Sequence, residues 1–139
     1  MFDNVKNKCY IIDNKGENMS KITEKYAYIL SENLFFDKIL ESLGGDKSYM
    51  GYYQIVEILS MLINEKIAGR SFSREVYPRV AKKLGVSEAS IERDIRNFID
   101  KNWNEKMKAG LYPFWASDEK PTCCKFLFMV KSYTLSKIA

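Results

Sequence analysis

Apolar residues recur along most of this chain at intervals of three and four, the spacing that stacks them on one face of an α-helix. No convincing succession of alternating runs suggests a sheet. The pattern predicts an all-α fold, a compact bundle of about six helices. Phe35, Phe36, Ile39, Leu40 and Leu43 mark a short amphipathic helix, closed by Gly44 and Gly45, the first of which supplies a left-handed cap. Tyr52, Ile55, Val56, Leu59, Leu62 and Ile63 follow at i, i+3, i+4, i+7, i+10 and i+11 and predict a longer helix over about 49–66 with a core-facing stripe. A third helix over about 73–84 carries Pro78. An interior proline removes a hydrogen bond and clashes with the preceding turn, so a start or a bend is expected there. A fourth helix opens at Ser87, a good N-cap, with Glu88 at the favourable end of the helix dipole, and runs to about Lys106. Pro113 and Pro121 make 111–122 a loop with at most one helical turn, after which Thr122 caps a last helix through Phe126, Leu127, Val130 and Tyr133. Near the start, Cys9 to Ile12 fit a short strand turning at Asp13-Asn14-Lys15-Gly16, and Ile22, Tyr26, Ile29 and Leu30 fit a further helix. The chain divides on this reading into an N-terminal extension, 1–31, and a helical domain, 32–139.

Within that frame one stretch, YPRVAKKLGVSEASIERDIRNFIDKNW from Tyr77 to Trp103, predicts two helices joined by a tight glycine turn. A helix-turn-helix needs a small residue where the second helix crosses the first, a glycine to turn the chain, and apolar positions that lock the two at a fixed angle. Ala81 is the small residue and Gly85 the turn; Val80, Leu84 and Val86 are the flanking core contacts, and Ile91 packs back from the second helix. Asp94 occupies a position where an apolar residue is usual, and Ile95 takes over its packing role. Rotation by about 100° per residue puts Ile91, Ile95, Phe98, Ile99 and Asn102 on one side of the second helix. Arg93, Arg96, Asn97 and Ala89 fall on the other, with Ser90 and Glu92 at its shoulders. Arginine matches the paired acceptors of guanine or a phosphate, and glutamate accepts from the cytosine amino group. Glu92 and Arg93, joined by Ser90, are therefore candidate base readers, and Arg96, Asn97, Lys82 and Lys83 candidate contacts to the DNA backbone. The plain structural alternative is a solvated face in which Glu92 pairs with Arg96 at i, i+4.

Charge location supports the DNA reading. The 139 residues are 46% hydrophobic and 29% charged, ordinary globular usage, with a net charge of +4. Between Arg70 and Lys108 ten basic residues face six acidic ones, so the whole excess lies on the candidate segment and the remainder balances. No run approaches the roughly 18 to 20 apolar residues of a membrane span, and the N-terminus lacks the order of a signal peptide. No membrane association and a cytoplasmic, nucleoid-associated location are expected. Cys9, Cys123 and Cys124 lack CxxC spacing, which argues against zinc and against a disulfide framework, and no cofactor is implied.

These residues carry a family resemblance. YPRVAKKLGVSEASIERDIRNFIDKNW, with KPT at 120–122, FLFMV at 126–130 and GYYQIVEILSMLINE upstream, resembles the C-terminal DNA-binding effector domain of the stage-zero sporulation protein A family of endospore-forming Firmicutes. The likeness spans roughly Asn33 to Ile138. It implies a six-helix domain whose fourth helix enters the major groove of a TGTCGAA-type box, often bound in tandem copies. The family's base-reading glutamate and arginine map onto Glu92 and Arg93, and its backbone-contacting arginine onto Arg96. Ser90 stands where relatives carry a long polar or basic side chain, and Asn97 replaces a histidine, so a variant of the box is expected. The region from Trp103 to Pro121 is shorter than the family's, which includes a short fifth helix and touches the polymerase sigma factor. Family members carry a phosphorylatable receiver domain ahead of the effector; about thirty residues stand there in this chain, and phosphorylation control in cis is not expected.

Two readings of different classes follow. The first is a transcriptional regulator with double-stranded DNA as its partner, with homodimers on tandem sites and a polymerase sigma factor as further candidates. The second is an interaction module that modulates a full-length homologue without binding DNA, using exposed aromatics at Tyr112, Phe114 and Trp115. An enzyme is the weakest reading, because the chain has no histidine, no phosphate-binding glycine loop and no nucleophile elbow.

Overall fold

The computed structural model describes residues 19–65, 72–117 and 119–138. Among these the regular elements are all helical: α1 (Met19–Glu32), α2 (Leu34–Ser42), α3 (Met50–Ile63), α4 (Tyr77–Leu84), α5 (Glu88–Asn102), α6 (Glu105–Leu111) and α7 (Cys123–Ile138). The strand expected at Cys9 to Ile12 lies outside the described residues. No helix among those described is long and apolar enough to cross a membrane.

Helix α3 is the axis of the bundle. Every residue from Gly51 to Leu59 is buried, as a helix must be when it is apolar nearly all round. Helices α1, α2, α5 and α7 pack around it. Tyr52 meets Phe98 of α5 edge-on at 6.3 Å between ring centroids, and Phe98 meets Phe126 of α7 at 6.2 Å, so one aromatic chain ties three helices. The Tyr52 hydroxyl is not left unpaired: it donates to Asp37 Oδ1 at 2.6 Å, and burial with that contact pushes its pKa far above the usual phenol value.

Helix α1 runs across the expected division between extension and domain. Tyr26 and Ile29 on its inner face are buried in the same core, with Tyr26 against Tyr53 at 6.1 Å. Helix α2 closes as the sequence predicts: Gly44 takes φ 93° and the Gly45 N–H donates back to the Leu40 carbonyl at 3.0 Å. Pro78 sits in the first turn of α4, and a single wide π-type turn, Phe72–Val76, leads into it, which is the expected bend.

The fourth predicted helix is shorter than expected. It ends at Asn102 instead of about Lys106, and Trp103 leaves helical geometry at φ −81°, ψ 76°. The break has one cause distant in the chain and one local cause. Buried Asn102 turns its amide to the Phe98 carbonyl and accepts from the Asp46 N–H at 3.0 Å, while Asn104 caps a new helix by accepting from the Met107 N–H at 3.0 Å. A short helix, α6, therefore occupies the region that looks abbreviated in sequence. One 3-10 turn follows at Tyr112–Phe114, and Thr122 caps α7 by accepting from the Lys125 N–H at 3.3 Å.

Candidate nucleic-acid interface

The turn between α4 and α5 is built by backbone conformation. Gly85 adopts φ 70°, ψ 34°, a left-handed geometry that side chains disfavour, and no atom lies near its missing Cβ, so the requirement for glycine is conformational and not spatial. The Val86 N–H then closes onto the Ala81 carbonyl at 3.0 Å. Ser87 is extended, and its hydroxyl accepts from the Ser90 N–H at 3.1 Å, capping α5. Val80, Ala81 and Leu84 of α4 and Ile91, Ile95, Phe98, Ile99 and Asn102 of α5 are all buried, the latter set being the inward face that rotation predicts.

The opposite face of α5 is open. Glu92, Arg93 and Arg96 are exposed, while Ser90 and Asn97 are half-buried at its edges. Glu92 accepts Arg96 at 3.2 Å, the i, i+4 pair expected of a solvated face. Arg93 donates to the Ser90 hydroxyl at 3.0 Å, and Ser90 in turn lies 3.0 Å from the Ser87 hydroxyl, so the cap of the helix and the arginine form one chain. The two lysines of α4 differ. Lys82 is exposed and makes no ion pair among the described residues, whereas Lys83 donates to Glu57 of α3 at 2.7 Å. That bond holds the Lys83 pKa above the usual lysine value.

Beside α5, a cleft of about 300 Å³ is lined by Glu92, Arg96, the segment Pro121-Thr122 that leads into α7, and Cys123 at its first position. Burial pushes the Cys123 thiol up to about 11, so it stays protonated at neutral pH. Farther along, Tyr112 and Phe114 are exposed, but Trp115 is half-buried against the core and donates to the Glu119 carbonyl at 2.8 Å.

A family model described as sporulation initiation factor Spo0A C terminal matches residues 36–134, most of the chain. The chain belongs to this family. The Spo0A C-terminal family is a class of DNA-binding regulatory domains of sporulation and transcription, not an enzyme class. The helix-turn-helix that points to DNA in the sequence lies inside the matched region of this Spo0A C-terminal domain.

Behind the open face the structure adds three residues that sequence reasoning passed over. Gly51 lies at the crossing of α3 and α5, where a Cβ would stand 2.6 Å from the Asp94 carbonyl oxygen and 2.7 Å from Phe98 Cβ. Gln54, one turn later, donates to Asp94 Oδ2 at 2.9 Å, and Glu57, another turn on, receives Lys83. Each half of the helix-turn-helix is thus pinned to α3 by one buried polar side chain. The signal was present as Gln54 and Glu57 at i, i+3 in the otherwise apolar first half of α3, with partners that only the fold reveals.

Proposed function

We propose that the chain is a sequence-specific double-stranded DNA-binding transcriptional regulator, with α5 as the recognition helix in the major groove. The observation that carries this is the outward face of α5, where Glu92, Arg93 and Arg96 stand exposed on a helix whose other side is locked into the core. Glu92, Arg93 and Ser90 read base edges; Arg96, Asn97 and Lys82 contact the backbone. Lys83, expected beside Lys82 at the phosphates, has its ammonium on Glu57 and contributes to DNA binding mainly by fixing α4. The Glu92–Arg96 pair is half-exposed on both sides, and such pairs are worth about 0–1 kcal/mol, so base and phosphate contacts displace it at little cost. A TGTCGAA-type box or a variant of it is the proposed target, since Ser90 offers a short hydroxyl where family members carry a longer side chain.

Anisotropy titration of labelled duplexes with and without the box tests the proposal. Box-dependent affinity falling with salt at a log-log slope of about −0.9 per phosphate contacted supports it. Binding no tighter than the roughly 10⁻⁴ to 10⁻⁶ M non-specific level at physiological salt refutes it. A second reading, an interaction module that modulates a full-length homologue without binding DNA, is favoured by exposed Tyr112 and Phe114 on the 3-10 turn. Pull-down of such a partner that is lost in Tyr112→Ala, with no duplex binding by the wild type, would select it.

A further inference from the structure

We infer that buried Gln54 is a positioning residue for base readout by Arg93, acting through Asp94; the inference rests on the proposed DNA-binding role of α5. Gln54 is fully buried on α3, and its Nε2 donates to Asp94 Oδ2 at 2.9 Å. The other Asp94 oxygen, Oδ1, lies 4.0 Å from Arg93 Nε. The Ser90 hydroxyl accepts from Arg93 at 3.0 Å. Before any DNA arrives the guanidinium therefore has one hydrogen bond, to the α5 cap, and faces at 4.0 Å a carboxylate whose other oxygen is fixed by the core helix.

Three features argue that this arrangement serves readout. Position 94 is where an apolar lock between helices is usual, and here a carboxylate replaces it with a partner waiting on α3. A carboxylate on a DNA-binding face repels phosphates; drawn inward by Gln54, its side chain is only 11% exposed, so it steers Arg93 with little cost to backbone contacts. Gln54 itself is a poor choice for stability, because its Oε1 is buried with no hydrogen-bond partner, an expensive state for an amide oxygen. Gly51 makes the reach possible, since only a residue without a Cβ lets the α3 backbone approach the Asp94 turn so closely. A guanidinium held in place before binding loses less freedom when it docks, and a misplaced one can accept alternative bases.

The test is a double-mutant cycle read in sequence discrimination, not in affinity alone. Gln54→Met keeps the volume and removes the donor. Wild-type and variant proteins are titrated with the preferred duplex, with a duplex changed at the base pair that Arg93→Ala ceases to distinguish, and with an unrelated duplex. The expected result is a loss of discrimination at that pair of about threefold to tenfold, unchanged affinity for the unrelated duplex, and no further loss when Gln54→Met is added to Arg93→Ala. Asp94→Asn, which keeps an acceptor for Gln54 but removes the charge facing Arg93, should move discrimination the same way and guards against a folding defect in the first variant. Equal weakening on all duplexes, an undiminished Gln54→Met effect in the Arg93→Ala background, or full discrimination in Asp94→Asn overturns the inference alone. A wild-type protein that binds every duplex equally overturns the DNA-binding reading together with it.

Discussion

Replacing Lys83 by methionine leaves the stem of the side chain in place and strips the ion-pair partner from Glu57, which is 2% exposed and whose second oxygen has no partner of its own. Breaking a buried pair from one side typically costs about 3–5 kcal/mol. Lys83 is itself 42% exposed, so water can reach the orphaned oxygen and the cost falls to about 2 kcal/mol. For a domain of this size that corresponds to a drop of about 6–10 °C in Tm, measured by circular dichroism. Adding Glu57→Gln should return much of the loss by removing the stranded charge. The neighbouring Lys82→Met should change stability by less than about 0.5 kcal/mol while weakening all duplexes alike and lowering the salt slope by about one phosphate. The pH dependence has a definite sign. Because the Lys83 pKa is raised in the fold, chiefly by its bond to Glu57, its contribution is fully present below the ordinary lysine value of about 10.4 and is lost as pH rises through the higher folded value. The gap between wild type and Lys83→Met should stay constant from about pH 7 to 10 and narrow above that. A Lys83→Met protein that melts with the wild type, or a double variant no better than the single, would show that the Lys83–Glu57 pair does not stabilise the fold.

Other outcomes follow from the same geometry. Gly51→Ala should destabilise by about 1–3 kcal/mol in urea unfolding, because its Cβ meets the Asp94 carbonyl; at an uncrowded helix interior the same change stabilises by about 1 kcal/mol. Ser87→Ala should cost about 1 kcal/mol by removing the α5 cap, and should also loosen the Ser90 hydroxyl that accepts from Arg93. In alkylation followed by mass spectrometry at pH 8, exposed Cys124 should react before buried Cys123, whose thiolate forms only near pH 11. Equal labelling rates of the two would contradict the burial seen here.

Where one residue decides its own conformation, the sequence was readable. Gly44 and Gly85 both take left-handed backbone, Pro78 sits in a first turn, and Ser87 and Thr122 accept the bonds their positions suggest. The inward set of α5 was legible for the same reason, since a regular helix fixes the rotation of every side chain. What stayed hidden depends on partners distant in the chain. The end of α5 at Asn102 hinges on Asp46, more than fifty residues earlier, so the pattern alone carried that helix on to Lys106. The bond of Lys83 to Glu57 was hidden likewise, because its partner lies on α3, far back along the chain. Asp94, which broke the apolar motif, became intelligible only when Gln54 appeared opposite. Trp115, expected to be exposed with Tyr112 and Phe114, is half-buried, because its ring packs on the core and its indole N–H is bonded to the Glu119 carbonyl.

If the outer face of α5 reads base pairs, loss of Arg93 must alter sequence preference at a defined position. The most direct test is the affinity of wild-type protein and Arg93→Ala across a panel of duplexes in which each pair of the preferred box is changed in turn, at fixed salt. Wild type should lose about 1–3 kcal/mol at each pair it contacts, and Arg93→Ala should become indifferent at one pair while keeping its preferences elsewhere. Identical profiles for the two proteins, or a flat profile for the wild type, would contradict base readout by this face.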